Sequence, residues 1–464
     1  MSSAWLATYE KDPVSAWSQF EPSKIQPWDW SSAAHLHRRA AFGGTVAEIQ
    51  ESLSQGPEQA VFRILHGNDQ AADGTPAAAY LSFADRIDAK LGPDGPLRRI
   101  QALWLQRMVD TPRPAEEWLT VFWHNHFATS DVKVKNTGQM VRQITTIRKH
   151  TFGPFQVLLD AIAKDPAMLV WLDASANRRS RPNENFAREV MELFTLGRGN
   201  YSEKDIQEAA RAYTGWFVIR DQFAFLEQQH DSGSKQVLGQ TGPFHGEEIH
   251  EILVKQPACG SFLSRKLLKH YVSESDTFND RLIQPLVETF RDSGGSIEVL
   301  VRKILGSRLF HDPAARRRRV KSPVEFIVGM CRTLEISNPM PPPELLADSS
   351  AAMGQALYAP PSVAGWDGGV SWIDTTRLVA RTNLSLGICS QVGPFANKLN
   401  LKAWAEKYNL ANPAEATETL VNLLLGDGAT DNFRKEMNQM AREHAADLRP
   451  VLARILTEPV YQLA

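Results

Sequence analysis

From Ser31 onward, apolar residues return every three to four positions, and Gly, Pro and small polar residues interrupt the pattern. Such a pattern belongs to successive amphipathic helices. Leu36, Ala40 and Ala41 fall at helical spacing behind Ser31 and Ser32, which can cap the segment, and Phe42-Gly43-Gly44 stops it. Thr45, with Glu48 three residues on, reads as a capping box for the next helix. The segments 79–90 and 97–110 carry the same period, Pro112 and Pro114 break it, and a helix restarts near Ala115. Helices are further predicted over 183–196, after the Ser202 and Asp205 cap, over 247–307 and 323–335, and through 391–464. The alternation over 216–226 predicts a small β-hairpin, whereas 229–246 and 360–374 read as long loops. The expectation is therefore a mainly α protein with one large multi-helical domain. Residues 1–30 form an irregular arm, 31–390 the core, and 391–464 helices packed on it.

Bulk properties narrow the class without naming a function. A formal net charge of −2 gives no reason to expect a nucleic-acid partner. The one basic run, Arg316 to Arg319 with Lys321, reads as a solvated turn. Cys259, Cys331 and Cys389 are odd in number and far apart, which argues against a disulfide framework or a zinc cage. The N-terminus shows neither a basic nor an apolar signal region, and no window reaches the ~18 apolar residues of a membrane span. The expectation is a cytoplasmic protein without a membrane span, with export left open.

Chemistry concentrates between Trp118 and Asp231, in FWHNHFATS (122–130), RPNENFAREVMELFTLGRGNY (181–201) and His230-Asp231. Placing such groups beside apolar anchors costs free energy unless they are paired or ligated. On a helix, Leu119, Phe122 and His126 share one stripe, and His124 lies about 200° from His126 per the helical period. Only one of the two histidines should therefore face the core. Glu189 projects into the stripe of Phe186, Val190 and Leu193, which should raise its pKa. Glu192 lies on the flank near Asn185 and Arg188, and Arg188 is one turn from both Glu184 and Glu192, its expected partners.

Three readings stay open. In the first, His126, Glu189 and His230 hold a divalent metal (iron, manganese or zinc), with Asp231 supporting a histidine from behind. In the second, a protonated Glu189 acts as general acid with a histidine as base, so that Glu189, His124 and Glu192 are the catalytic candidates. In the third, Asn183, Asn185 and Glu192 tie down buried backbone, since a lone helix histidine is more often a hydrogen-bonded core residue than a ligand. The literal His-Asn-His is not the nuclease signature of that name, whose letters stand for separated residues. Asn183, Asn185 and Arg188 are also binding candidates. So are Trp366 and Trp372, since a glycine-rich loop could expose flat rings for stacking on sugars.

These motifs, together with HLHRRAAFG (35–43), EAARAYTGW (208–216), HDSGSK (230–235), QPACGSFLSRKL (256–267), KSPVEF (321–326) and MGQALYAPPSVAGW (353–366), carry a resemblance. The chain resembles the bacterial domain-of-unknown-function 1800 family from about His35 to Arg381. The resemblance implies a largely helical protein, often exported. It also implies a genetic neighbour in the sulfatase-like domain-of-unknown-function 1501 family as partner. It adds weight to His124, His126, Asn183, Glu184, Arg188, Glu189, Glu192 and His230 without giving them roles. The functional expectation is a His/Glu enzyme, metal-assisted or acid–base, hydrolysing a polymeric or glycan-like substrate. The alternative is a non-catalytic binding or assembly partner of the sulfatase-like protein.

Overall fold

The structure is a computed structural model and describes residues 4–67, 95–337, 340–410 and 412–464. The helix expected over 79–90 lies outside them. The architecture is mainly α, as the periodicity predicts, with two small antiparallel hairpins.

Local chemistry accounts for the helix starts, with one shift. The first core helix, Trp30–Ala40, is capped not by Ser31 or Ser32 but by Asp29, whose carboxylate accepts the Ser32 N–H at 2.9 Å. The Ser32 hydroxyl donates instead to the Pro27 carbonyl. The helix ends where Phe42 (φ 63°) and Gly43 (φ 127°) turn left-handed. Thr45 and Glu48 form the expected capping box, as do Ser202 and Asp205. The 1–30 arm is not irregular throughout: it contains the short helices Leu6–Lys11 and Pro13–Ala16, and Leu6, Ala16, Trp17 and Phe20 are buried.

The helix Pro114–His126 is the central element. It packs against Trp30–Ala40, Pro57–His66, Leu97–Asp110 and Thr137–His150. Trp118, Leu119, Trp123 and Phe127 are core residues, yet Glu117, Thr120, His124 and His126 are buried too. The expectation that only one histidine faces the core is therefore corrected. The two do diverge, but this helix is covered on nearly every side, so each ring enters a different part of the interior. Glu117, fully buried, takes Arg107 Nε and Arg148 Nε at 2.6 Å each and Trp104 Nε1 at 2.8 Å.

The predicted hairpin forms from β1 (Trp216–Ile219) and β2 (Gln222–Phe225), with Trp216 opposite Phe225. Its turn residues Arg220 and Asp221 both have positive φ, the geometry of a tight hairpin turn. The expected long loop 229–246 contains a second hairpin, β3 (Lys235–Val237) with β4 (Gln240–Gly242), closed by Leu238-Gly239. Its strands are too short to show a period. At the other end, the helix Pro413–Leu424 packs against Trp30–Ala40, and Arg449–Leu456 packs against Thr375–Ser390. All three cysteines are buried and free. Among the described residues, no helix is long and apolar enough to cross a membrane.

Candidate functional site

Each residue of the His124-Asn125-His126 triplet fastens a different segment. His124 Nε2 accepts the backbone N–H of Tyr358 at 3.0 Å, and its ring lies among Trp104, Tyr358 and Trp366. Burial takes its pKa down to about 3, so the ring is neutral. Asn125 clamps the backbone of Trp366 from both sides: its carbonyl accepts the Trp366 N–H at 2.7 Å, and its amide donates to the Trp366 carbonyl at 3.4 Å. His126 Nε2 lies 3.1 Å from the Phe194 carbonyl and Nδ1 lies 3.0 Å from Lys266 Nζ. A carbonyl can only accept, so Nε2 carries the proton and Nδ1 accepts from the lysine. Burial, with Lys266 nearby, holds the His126 pKa well below the usual histidine value.

The second motif forms the helix Asn185–Glu189, which runs into a π-helical turn, Val190–Thr195. Leu196 N–H reaches back five residues to Met191, and the Thr195 hydroxyl donates to Val190. The widened turn leaves the Phe194 carbonyl free for His126, which periodicity alone does not anticipate. Glu189 is half-buried. Burial first, then Glu192, raises its pKa, and no partner bonds it among the described residues. Glu192 accepts from Arg198 at 2.5 Å and from Tyr201 at 2.9 Å. Asn183 accepts the Asn185 N–H, and Asn185 donates to the Leu172 carbonyl, so both hold backbone.

Two expected pairings are corrected. Arg188 reaches across to Glu203 in a two-pronged pair at 2.8 and 2.7 Å, rather than to Glu184 or Glu192. The fork geometry of guanidinium and carboxylate rewards the longer reach. Asp231 does not support a histidine: Arg211 takes both its oxygens, at 2.7 and 3.2 Å. That bond holds the Asp231 pKa down to about 2. The depressed value means the pair stabilises the fold above the unfolded pKa of ~3.9 and loses that contribution as pH falls toward the folded value. Asp231→Asn is expected to cost about 1 kcal/mol at pH 7, discounted for partial exposure, and almost nothing near pH 2. Urea denaturation at the two pH values checks this.

The candidate metal ligands do not meet. His126 bonds the Phe194 carbonyl, whereas His230 Nδ1 donates to the Thr214 carbonyl at 2.8 Å, its ring stacked on His245 at 4.3 Å. Among the described residues no three His, Cys, Asp or Glu side chains are grouped to hold a metal ion. His124 sits against Tyr358, Trp104 and Trp366, and among the described residues no hydrogen bond or ion pair joins it to Glu189 or Glu192.

A cleft of about 940 Å³ opens instead on the face of Pro114–His126 that carries Trp118, Phe122 and Asn125. Its other walls come from the helix Pro257–Tyr271, the basic run, and the 364–372 loop. Five cations line it, Lys266, Lys269 and Arg317 to Arg319, against Glu274, Glu325 and Asp367. The basic run is not a solvated turn, which corrects that expectation. Arg316 pairs with Asp427 at 2.6 Å, Arg317 donates to the Leu425 and Val460 carbonyls, and Arg319 pairs with Glu325 at 2.7 Å. Carbonyls and acids inside the fold satisfy it. Lys269, exposed on the cleft wall, makes no ion pair among the described residues. Trp366 and Trp372 are only 7% and 5% exposed, so they close the wall and do not present open faces. For Trp366 the reason is the Asn125 clamp together with Gly365, which at φ +83° lies against Asn125.

The family model described as Protein of unknown function (DUF1800) matches residues 35–463. The chain belongs to the DUF1800 family. No curated protein and no solved structure matches it.

In this DUF1800 chain His124 and Asn125 hold the cleft's loop wall, and Lys266, Lys269 and His270 face the cleft from the helix Pro257–Tyr271. Phe262, Lys266, Lys269 and His270 follow one another at spacings of four, three and one on Pro257–Tyr271. That spacing would place Phe262, Lys266 and Lys269 on one helical face. The signal was present, but a basic pair on an amphipathic helix looks like an ordinary solvated edge.

Proposed function

We propose that the cleft binds an anionic, ring-containing ligand, of which a charged glycan segment is the class that fits best, and that the motif residues hold its walls. The observation that carries this reading is the charge balance of the lining. Arg319 is neutralised by Glu325 and Glu274, and Lys266 and Lys269 then remain without carboxylate partners among the described residues. Cations lining a concave wall concentrate an anionic ligand there. The half-buried Phe122 beside them supplies apolar area for the ligand's ring faces. Volume supports a ligand larger than a single sugar, since ordinary small-molecule pockets span roughly 300–1,000 Å³. The sulfatase-like partner that the family resemblance implies would act on the same ligand class, because sulfate esters carry the negative charge that this lining favours.

Calorimetric titration with sulfated, uronate-containing and neutral oligosaccharides tests the proposal. Charged glycans are expected to bind and neutral ones to bind at least about tenfold more weakly, with the difference shrinking at high salt. Lys269→Glu is expected to weaken the charged ligands about tenfold and leave the fold intact, since its side chain is exposed. Equal binding of charged and neutral glycans, or no binding by either, would sink it.

One observation favours a second reading, acid–base hydrolysis by the Glu189 and Glu192 pair. Glu189 is unbonded with a raised pKa, while Arg198 and Tyr201 hold Glu192 ionised. Two carboxyl groups pushed apart in this way suit an acid and a base. On this reading the substrate lies in the separate pocket that Glu192 lines, and Glu189→Gln removes its hydrolysis while leaving glycan binding in the cleft unchanged.

A further inference from the structure

The helix Pro257–Tyr271 brings an amine into an unusual setting. Lys266 lines the cleft, is half-buried, and makes no ion pair among the described residues. Among the described residues its one hydrogen-bond partner is Nδ1 of His126, a neutral ring. Beneath it lies the ring of Phe262, 5.0 Å from Nζ to the ring centre, and the nearby Lys269 adds a like charge. Lysines usually sit in water or against a carboxylate, and both settings keep the proton on. Here a cation is taken partly out of water, given an acceptor with no negative charge, and placed near a second cation. Desolvation with a neighbouring cation is how lysines become nucleophiles.

His126 also orients the amine. Its Nε2 proton is committed to the Phe194 carbonyl, so Nδ1 can only accept. A neutral Lys266 therefore keeps one N–H on Nδ1, and its lone pair is turned away from the imidazole. We propose that Lys266 is a nucleophilic amine on the cleft wall that condenses with the carbonyl group of an anionic aldehyde or ketone.

The step balances without a redox partner. The nitrogen lone pair attacks the carbonyl carbon and a C–N bond forms. The C=O π pair moves to oxygen, which takes up a proton as the nitrogen releases one. The resulting hydroxyl takes a second proton from solvent water and leaves as water while the nitrogen lone pair forms C=N. The iminium retains a single N–H, for which His126 Nδ1 is the acceptor. Burial first, and Lys269 second, take the Lys266 pKa down to about 8, so about half of it carries the lone pair at pH 8. An ordinary lysine near 10.4 offers less than about 1% there. The anionic character of the ligand rests on the cleft reading above; the reactivity of the amine does not.

Pyridoxal phosphate, an aromatic aldehyde with an anionic group, is a suitable probe. The full chain is incubated with it between pH 6 and 10, reduced with borohydride to fix any imine as a secondary amine, and peptide-mapped. Lys266 is expected to be modified at least about tenfold more than the average surface lysine at pH 8, with a midpoint at about pH 8. Lys266→Arg should remove that peptide's label, Lys269→Met, which takes away the neighbouring cation, should lower it at pH 8 and move the midpoint upward, and Lys255→Met, outside the cleft, should leave it. Modification of Lys266 no greater than that of surface lysines overturns the proposal, and the wild-type map alone decides this if a variant fails to fold. Uncharged pyridoxal is run in parallel. Equal labelling of Lys266 by both aldehydes keeps the amine and overturns the anionic-ligand reading; preference for the phosphate supports both.

Discussion

Glu117→Gln is expected to cost about 3–5 kcal/mol of stability, the largest loss from any isosteric change in the central helix. The side chain keeps its volume but takes the carboxylate that Arg107 and Arg148 share out of a place where Glu117 itself is 0% exposed. Burial alone would raise the Glu117 carboxyl, yet Arg148 and Arg107 outweigh it and hold it below the ordinary value. A depressed carboxyl stabilises the fold above its unfolded pKa, and that contribution is lost as pH falls through the folded one. The wild-type chain should therefore lose stability in acid along a limb that Glu117→Gln lacks. Replacing all three members, by Glu117→Leu with Arg107→Met and Arg148→Met, is expected to cost much less, because no orphaned charge remains. Urea midpoints of the three proteins check this. A loss under about 1 kcal/mol in Glu117→Gln would mean that water reaches the triad.

The helices were legible because each start carries its own chemistry. Thr45 with Glu48, Ser202 with Asp205 and Pro114 at a first turn all act through neighbours three or four residues away. The failures share a different cause. Arg188 with Glu203, Arg211 with Asp231, and Arg316 and Arg317 with Asp427 and the Leu425 and Val460 carbonyls find partners 15, 20 or more than 100 residues distant. Helical spacing ranks only the neighbours on the same helix, so it gave Arg188 partners that the fold does not use and gave Arg211 and the basic run none. The second hairpin was missed for lack of length, and the π turn because one extra residue per turn leaves no mark on the spacing of Val190, Leu193 and Phe194.

The site divides in the same way. Sequence pattern identified the His124-Asn125-His126 and Asn183 to Glu192 segments as polar groups set among apolar ones, and the structure places most of them on backbone. The cleft, which of these groups only Asn125 lines, forms where four segments far apart in sequence converge: 118–125, 266–275, 317–325 and 364–372. A concavity made by convergence has no signature within any one of its segments. Only the glycine-rich loop gave a local hint, and its tryptophans turned out to be buried, Trp366 by the clamp that shapes the cleft.

That clamp sets the other large expected effect. Gly365→Ala should cost about 2–5 kcal/mol, combining roughly 1–3 for a side chain at positive φ with a similar term for overpacking. A methyl at this position would lie 2.1 Å from the Asn125 side-chain oxygen and 2.5 Å from its backbone oxygen, at φ +83°. The side-chain oxygen can swing aside, but doing so releases the Trp366 N–H that it accepts. The backbone oxygen belongs to the central helix and cannot yield. The loop must therefore lift, carrying Trp366 away from His124 and opening the cleft wall. Two readouts should move together: the denaturation midpoint, and the affinity for charged glycans. Asn125→Ala separates them, since it removes the clamp without the clash; it should lose roughly 1–3 kcal/mol from the unbonded Trp366 N–H and weaken the ligand less. If Gly365→Ala lowers stability while glycan affinity stays unchanged, the loop is a structural strap and the ligand is held by the Lys266 and Lys269 wall alone.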